Sequence, residues 1–229
     1  MIDKIQRKFD LENLKKLREE RKIGQEVDLN NIADLLPQWR VSSKPEDKRK
    51  LAEYGLGQDL DILVYSPDKY VRATVAKRGR PQDLDILVDD VDADVRVAVA
   101  KQGRDQDLDQ LVGDKDWSVR MAVAKRGRDK DLDRLVGDKN EWVRGAVAKH
   151  GRDQDLNLLV NDPADFVRRA VVRQGRDQDL DILVADKDPW VRMTVAEQGR
   201  DKDLNILLHD DDMLVRQAVV EIAPWILIP

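Results

Sequence analysis

The sequence predicts an all-α stack of short helix pairs, and three observations predict it. Val-Arg pairs stand at 71, 95, 119, 143, 167, 191 and 215, always 24 residues apart and without insertion. A glycine follows eight residues behind each of the first six, at Gly79, Gly103, Gly127, Gly151, Gly175 and Gly199. Charged residues make up 38% of the 229, apolar ones 41% and aromatics only 4%, a balance suited to a helix-rich array with much surface per residue. A fixed period of this length marks a repeat architecture, in which each copy buries its apolar side only against its neighbours.

The period divides the chain. Residues 1–46 read as a helical N-terminal cap and connector, and 47–222 as the repeat array. The array comprises a degenerate copy (47–70), six full copies (71–214) and a partial one (215–222); an apolar tail, 223–229, follows. In the cap, Asp10 to Lys22 places Leu11, Leu14 and Leu17 on one helical face. A second helix, Asp28 to Leu36, is expected to stop at Pro37, with 38–46 as connector. Within a copy such as VRMAVAKRGRDKDLDRLVGDKNEW, Val119, Ala122, Val123 and Ala124 give a first helix of about ten residues. Gly127 follows at the left-handed position that a side chain disfavours, and Gly55 is expected to do the same in the degenerate copy. Asp92, Asp116, Asp188 and Asp212 stand where an N-cap belongs. The second helix opens on an acidic cap at Asp129, carries Leu132, Leu135 and Val136 inward, and is short enough to be partly 3₁₀. The tail, Ala223 to Pro229, reads as an end cap over the last copy, with a docking segment as the alternative.

The skeleton V-R-x-A-V-A…G…D-L-x-x-L-V-x-D-x-x-x-x-V-R resembles the leucine-rich repeat variant family, a relative of the HEAT and armadillo superfamily, over roughly 47–222. The resemblance implies a right-handed α-solenoid of a long α-helix and a short α or 3₁₀ helix per copy, without β-sheet. Some members carry a cysteine-ligated Fe–S domain; this chain has no cysteine, so no cofactor is expected. The resemblance to HEAT-like stacks also implies an aspartate–arginine ladder between copies. An Asp precedes each Val-Arg arginine by six residues: Asp90/Arg96, Asp114/Arg120, Asp138/Arg144, Asp162/Arg168, Asp186/Arg192 and Asp210/Arg216. A guanidinium fork suits that task because it satisfies a carboxylate and nearby main-chain groups together.

Catalytic chemistry finds little to work with. Two histidines, His150 and His209, sit in different copies as tolerated variation, and four serines have no base beside them. Runs such as Asp105-Gln106-Asp107-Leu108-Asp109 imitate a calcium loop but lack its Gly and Glu. No metal site and no catalytic residue are expected. A second arginine column at 80, 104, 128, 152, 176 and 200 reads as local ion pairing beside the aspartates rather than as an anion track.

Variation among copies points to the binding candidates. These are Gln82, Gln106, Gln110, Lys130, Arg134, Gln154, Gln178 and Lys202 on the short helix. At the copy junction stand Tyr70, Trp117, Trp142, Phe166 and Trp190. They read as staples of each long helix to the previous loop, with Trp117, Trp142 and Trp190 as a recognition stripe in the alternative. The expected function is a non-catalytic scaffold binding another protein or peptide along the repeat surface. The net charge of −5 fits a partner with a basic surface and disfavours nucleic acid. Nucleic-acid binding with base excision, as in some HEAT-like proteins, and self-association through the end faces are the rivals. The opening Met1-Ile2-Asp3-Lys4 lacks a signal-peptide core and no transmembrane run occurs, so the expected location is cytoplasmic and off the membrane.

Overall fold

The computed structural model describes residues 2–19 and 27–227. The last turn expected to reach Lys22, and Ile228 and Pro229 of the tail, lie outside the described residues. The chain divides into two compact units, Met1–Ala122 and Val123–Pro229. In order, the helices are α1 (Ile2–Glu19), α2 (Leu29–Val41), α3 (Pro45–Tyr54), α4 (Gly57–Leu63), α5 (Lys69–Arg78), α6 (Pro81–Leu87), α7 (Ala93–Ala100), α8 (Asp105–Leu111) and α9 (Trp117–Ala124). They continue with α10 (Asp129–Leu135), α11 (Glu141–Ala148), α12 (Asp153–Leu159), α13 (Asp165–Val172), α14 (Asp177–Leu183), α15 (Pro189–Ala196), α16 (Asp201–Leu207) and α17 (Met213–Ile222). A 3₁₀ turn, Pro224–Leu227, ends the described chain, and no strand occurs among the described residues. From α4 onward both the short and the long helices begin 24 residues after the previous one of their kind.

Each unit is an all-α stack of helix pairs, the arrangement of an α-solenoid. In the first unit α1 packs on α2, α2 on α3, α3 on α5 and α5 on α7, while α4 and α6 each bridge the long helices on either side. In the second, α11, α13, α15 and α17 stack in the same way, with α12, α14 and α16 as bridges. The valines of the Val-Arg pairs, Val71 to Val215, are fully buried, as are Leu84, Leu108, Leu132, Leu156, Leu180 and Leu204 of the short helices. Burying one such leucine contributes about 1.5–3 kcal/mol, and since no single pair is long enough to hold by itself, this shared core is what makes the helices persist.

The helix ends follow their side chains. Asp92 accepts a hydrogen bond from the Asp94 N–H at 2.9 Å, Asp188 from Trp190 at 2.9 Å and Asp212 from Leu214 at 2.8 Å, which satisfies a free N–H of the first turn. The six glycines at 79 to 199 have φ between 70° and 78°. Gly55 departs from them: its φ of −64° is ordinary extended backbone. The short helices are α-helical, and from α6 onward their N-cap is an arginine (Arg80, Arg104, Arg128, Arg152, Arg176, Arg200) rather than an acid. The aspartates fall inside the first turn, where they complement the helix dipole. The first helices from α7 to α15 run eight residues, shorter than expected, because the chain closes into a turn ahead of each glycine. Pro37 lies inside α2. That helix continues because Trp39 is buried and Arg40 makes two ion pairs beyond the proline, contacts that offset a penalty of about 3 kcal/mol.

Candidate functional site

Three layers of polar side chains run across the copies, and each has a different exposure. The deepest belongs to the arginines of the Val-Arg pairs. Arg96 grips the Asp114 carboxylate with Nε and Nη2 at 2.6 and 2.9 Å, while its Nη1 donates to the Asp90 carbonyl at 2.7 Å. The same bidentate pair joins Arg72 to Asp90, Arg144 to Asp162, Arg168 to Asp186 and Arg192 to Asp210, with Nε–Oδ2 at 2.6 Å each time. The carboxylate partner thus lies eighteen residues after the arginine; the aspartate six residues before it supplies a main-chain carbonyl. Arg120 and Arg216 take the carbonyls of Asp114 and Asp210 at 2.8 and 2.6 Å. The Asp138 carboxylate caps its own loop through the Asn140 N–H at 2.8 Å. Burial opposes ionisation of Asp90 and Asp114 and is the largest single influence, but the guanidinium of Arg72 or Arg96 and a loop N–H outweigh it, so both carboxyls titrate below the ordinary range. Asp210 is lowered chiefly by its hydrogen bond from Arg192.

The second layer is the arginine column behind the glycines. Arg152 holds Asp155, three residues on and buried, at 2.7 Å through Nε, and reaches back to Asp133 at 2.8 Å and Asp129 at 3.2 Å. Arg80, Arg104, Arg128, Arg176 and Arg200 repeat the contact with the aspartate three residues on. Each of these guanidinium groups is engaged by at least one carboxylate, so the column is a row of ion pairs rather than a row of free cations.

The outermost layer carries the variable side chains. Gln82, Gln106, Gln110, Lys130, Arg134, Gln154, Gln178 and Lys202 are all exposed. Several lie against the neighbouring copy: Gln106 donates to Asp85 at 3.0 Å, Gln154 to Asp133 at 3.0 Å, Gln178 to Asn157 at 3.1 Å, and Lys202 pairs with Asp181 at 2.7 Å. Beside them one apolar position stays open in copy after copy: Ile62 is 74% exposed, Ile86 41%, Leu158 67%, Ile182 51% and Ile206 56%.

The aromatics sit within the first turn of the long helices, half exposed, rather than in the loop where a staple would stand. Trp142 and Phe166 pack with ring centroids 4.5 Å apart at a tilt of 41°, and the Phe166 ring lies over Gly145, where a Cβ would strike it. Trp190 occupies the same position as Trp142, whereas Trp117 stands one residue earlier in its copy.

Two kinds of contact had no signal in a single copy. Arg40 of α2 binds Asp10 at 2.8 Å and Asp59 at 2.9 Å, and neither carboxylate is exposed. The residue before each glycine reaches back over the previous copy: Arg78 donates to the Glu53 carbonyl at 2.7 Å, and His150 Nε2 lies 2.8 Å from the Ala124 carbonyl, so that nitrogen carries the proton. His150 therefore contacts the previous copy from an exposed position, and His209 is exposed as well. No group of three or more His, Cys, Asp or Glu side chains suited to a metal occurs among the described residues.

No family model matches the chain, and no curated protein matches it either. Among solved structures it is similar to a leucine-rich repeat variant with a repetitive structural motif described as novel: 32% identity over 84% of this chain and 82% of that one, TM-score 0.68. Two designed armadillo repeat proteins, one in complex with the peptide (KR)4, match at 16% and 18% identity over 89% of this chain, with a TM-score of 0.25 each, too low to bear on function.

Proposed function

The chain belongs to the leucine-rich repeat variant family, and from that premise we propose that it is a non-catalytic scaffold that binds another protein or peptide on the outer side of its short helices. The observation that carries this reading is the apolar position left open at Ile62, Ile86, Leu158, Ile182 and Ile206. Within each unit the polar side chains beneath it are committed to one another, while the outer position varies from Ile to Leu, Gln and Arg. A rigid surface with exposed apolar anchors loses little entropy on binding. The net charge of −5 supports a partner with a basic surface. Among the described residues no helix is long and apolar enough to cross a membrane.

The test compares affinity capture by the wild type with capture by a Leu158→Ser, Ile182→Ser, Ile206→Ser variant. The reading predicts a partner retained by the first and lost by the second, at equal unfolding midpoints. Equal retention by both would contradict it.

A further inference from the structure

In three copies of the second unit the residue that opens the short helix is an aspartate, and its carboxylate meets Nη1 of the arginine 23 residues on. Asp129 lies 3.2 Å from Arg152, Asp153 3.0 Å from Arg176 and Asp177 2.9 Å from Arg200. At the head of α4 this position is Gly57. Arg80 approaches it in the same way but finds a carbonyl, with Nη1 2.8 Å from the Gly57 oxygen. The carboxylate is missing there, and the vacated space opens into a cleft of about 400 Å³. A Cβ placed on Gly57 would have one neighbour within 4 Å, Arg80 Nη1 at 3.1 Å.

The rest of the cleft has two characters. Phe9 and Leu17 of α1 and Leu56, which caps α4, give it an apolar bed, with the buried Leu60 beneath. Lys16, Arg78 and Arg80 bring cationic groups, and among the described residues no acidic side chain lines it, although the chain as a whole is acidic. Arg80 is engaged by Asp61 and Asp83 along its other edge. Among the described residues Arg78 has only carbonyl partners, those of Ala52, Glu53 and Gly55 at 3.2, 2.7 and 3.1 Å. Desolvation by burial, then the nearby Arg80 charge, lowers its pKa, as expected for a cation without a paired acid.

We propose that this cleft binds a small carboxylate carried on an apolar body. The carboxylate takes the place of the absent aspartate side chain, on Arg80 Nη1 and near Arg78, and the body lies on Phe9, Leu17 and the edge of Leu56. The volume falls within the range of small-molecule sites, about 300–1,000 Å³. The inference is independent of the scaffold reading, whose surface lies elsewhere on the short helices.

The experiment is an amide-resolved NMR titration of the full chain with octanoate, octan-1-ol and octylamine. Octanoate is expected to saturate one site, with shifts in α1 and α4, and the alcohol and amine to bind about tenfold more weakly or worse. Gly57→Asp supplies the carboxylate from within, as three other copies do, at a backbone angle outside the left-handed region. It is expected to lose octanoate binding about tenfold or more while its unfolding midpoint stays or rises. Arg78→Gln, the residue present at the same place as Gln102 and Gln174, removes the charge but keeps a donor and is expected to weaken binding similarly; it decides the matter if Gly57→Asp does not fold. Octanoate that fails to saturate the wild type, octanol that binds as well, or a folded variant that binds octanoate unchanged would overturn the proposal.

Discussion

From α6 onward the buried aspartate in the first turn of each short helix is held by the arginine three residues before it, whereas at α4 that place is taken by Leu56 and Asp59 is held by Arg40 of α2. The regular copies solve the problem locally, with Arg80 Nε 2.7 Å from Asp83 and Arg200 Nε 2.6 Å from Asp203. The flank solves it through tertiary structure, and the same guanidinium also satisfies Asp10. A carboxylate taken out of water needs a counter-charge wherever that charge comes from, and the region without a spare arginine depends on one residue for two acids.

The largest effect should appear where that dependence is greatest. Arg40→Ala leaves two buried carboxylates unpaired and is expected to destabilise by about 3–5 kcal/mol. Arg176→Ala, which leaves one, is expected to cost about 2 kcal/mol. Urea denaturation measures both, and equal losses would break the contrast. Acid is a second lever. The carboxyls of Asp90, Asp114 and Asp210 titrate below their ordinary range when folded. Their contribution is therefore complete above the unfolded value of about 3.9 and fades as pH falls through the folded values. Urea midpoints followed from neutral into acid pH should decline there, and Asp114→Asn should start lower and decline less. A smaller effect separates two glycines: Gly103→Ala, at φ 78°, should cost about 1 kcal/mol. Gly137→Ala, with open space around it, should stay within about 0.5 kcal/mol. Smallest of all, Ile182→Ser on the open face should change stability by no more than about 0.5 kcal/mol; a larger loss would mean that this face is structural.

Much of this was legible because the period repeats every local decision. The valines, leucines and glycines announced their roles six times over, and the two-helix copy followed from their spacing. The partner of each Val-Arg arginine did not follow. With a period of 24, an aspartate six residues before one arginine is necessarily eighteen after the previous one, so spacing cannot separate carboxylate from carbonyl. The fold divides them: the Asp90 carbonyl serves Arg96 and its carboxylate serves Arg72. The same ambiguity hid the N-cap, since an acid beside an arginine at a helix start fits either order. Pro37 and Arg40 were opaque for another reason. Their contacts, Arg40 with Asp10 and Asp59, span thirty and nineteen residues in a region with no second copy for comparison. The binding candidates Gln106, Gln154 and Gln178 were picked out by their variability, yet their hydrogen bonds run to the neighbouring copy, and the open position beside them is apolar.

Paired charges between copies, and not only the shared apolar core, hold the helices on which the outer face is displayed. A double-mutant cycle on Arg168→Met and Asp186→Asn, a pair buried on both sides with Nε–Oδ2 at 2.6 Å, tests this most directly by urea unfolding. The predicted coupling is about 2 kcal/mol. Losses that add within about 0.5 kcal/mol would contradict it.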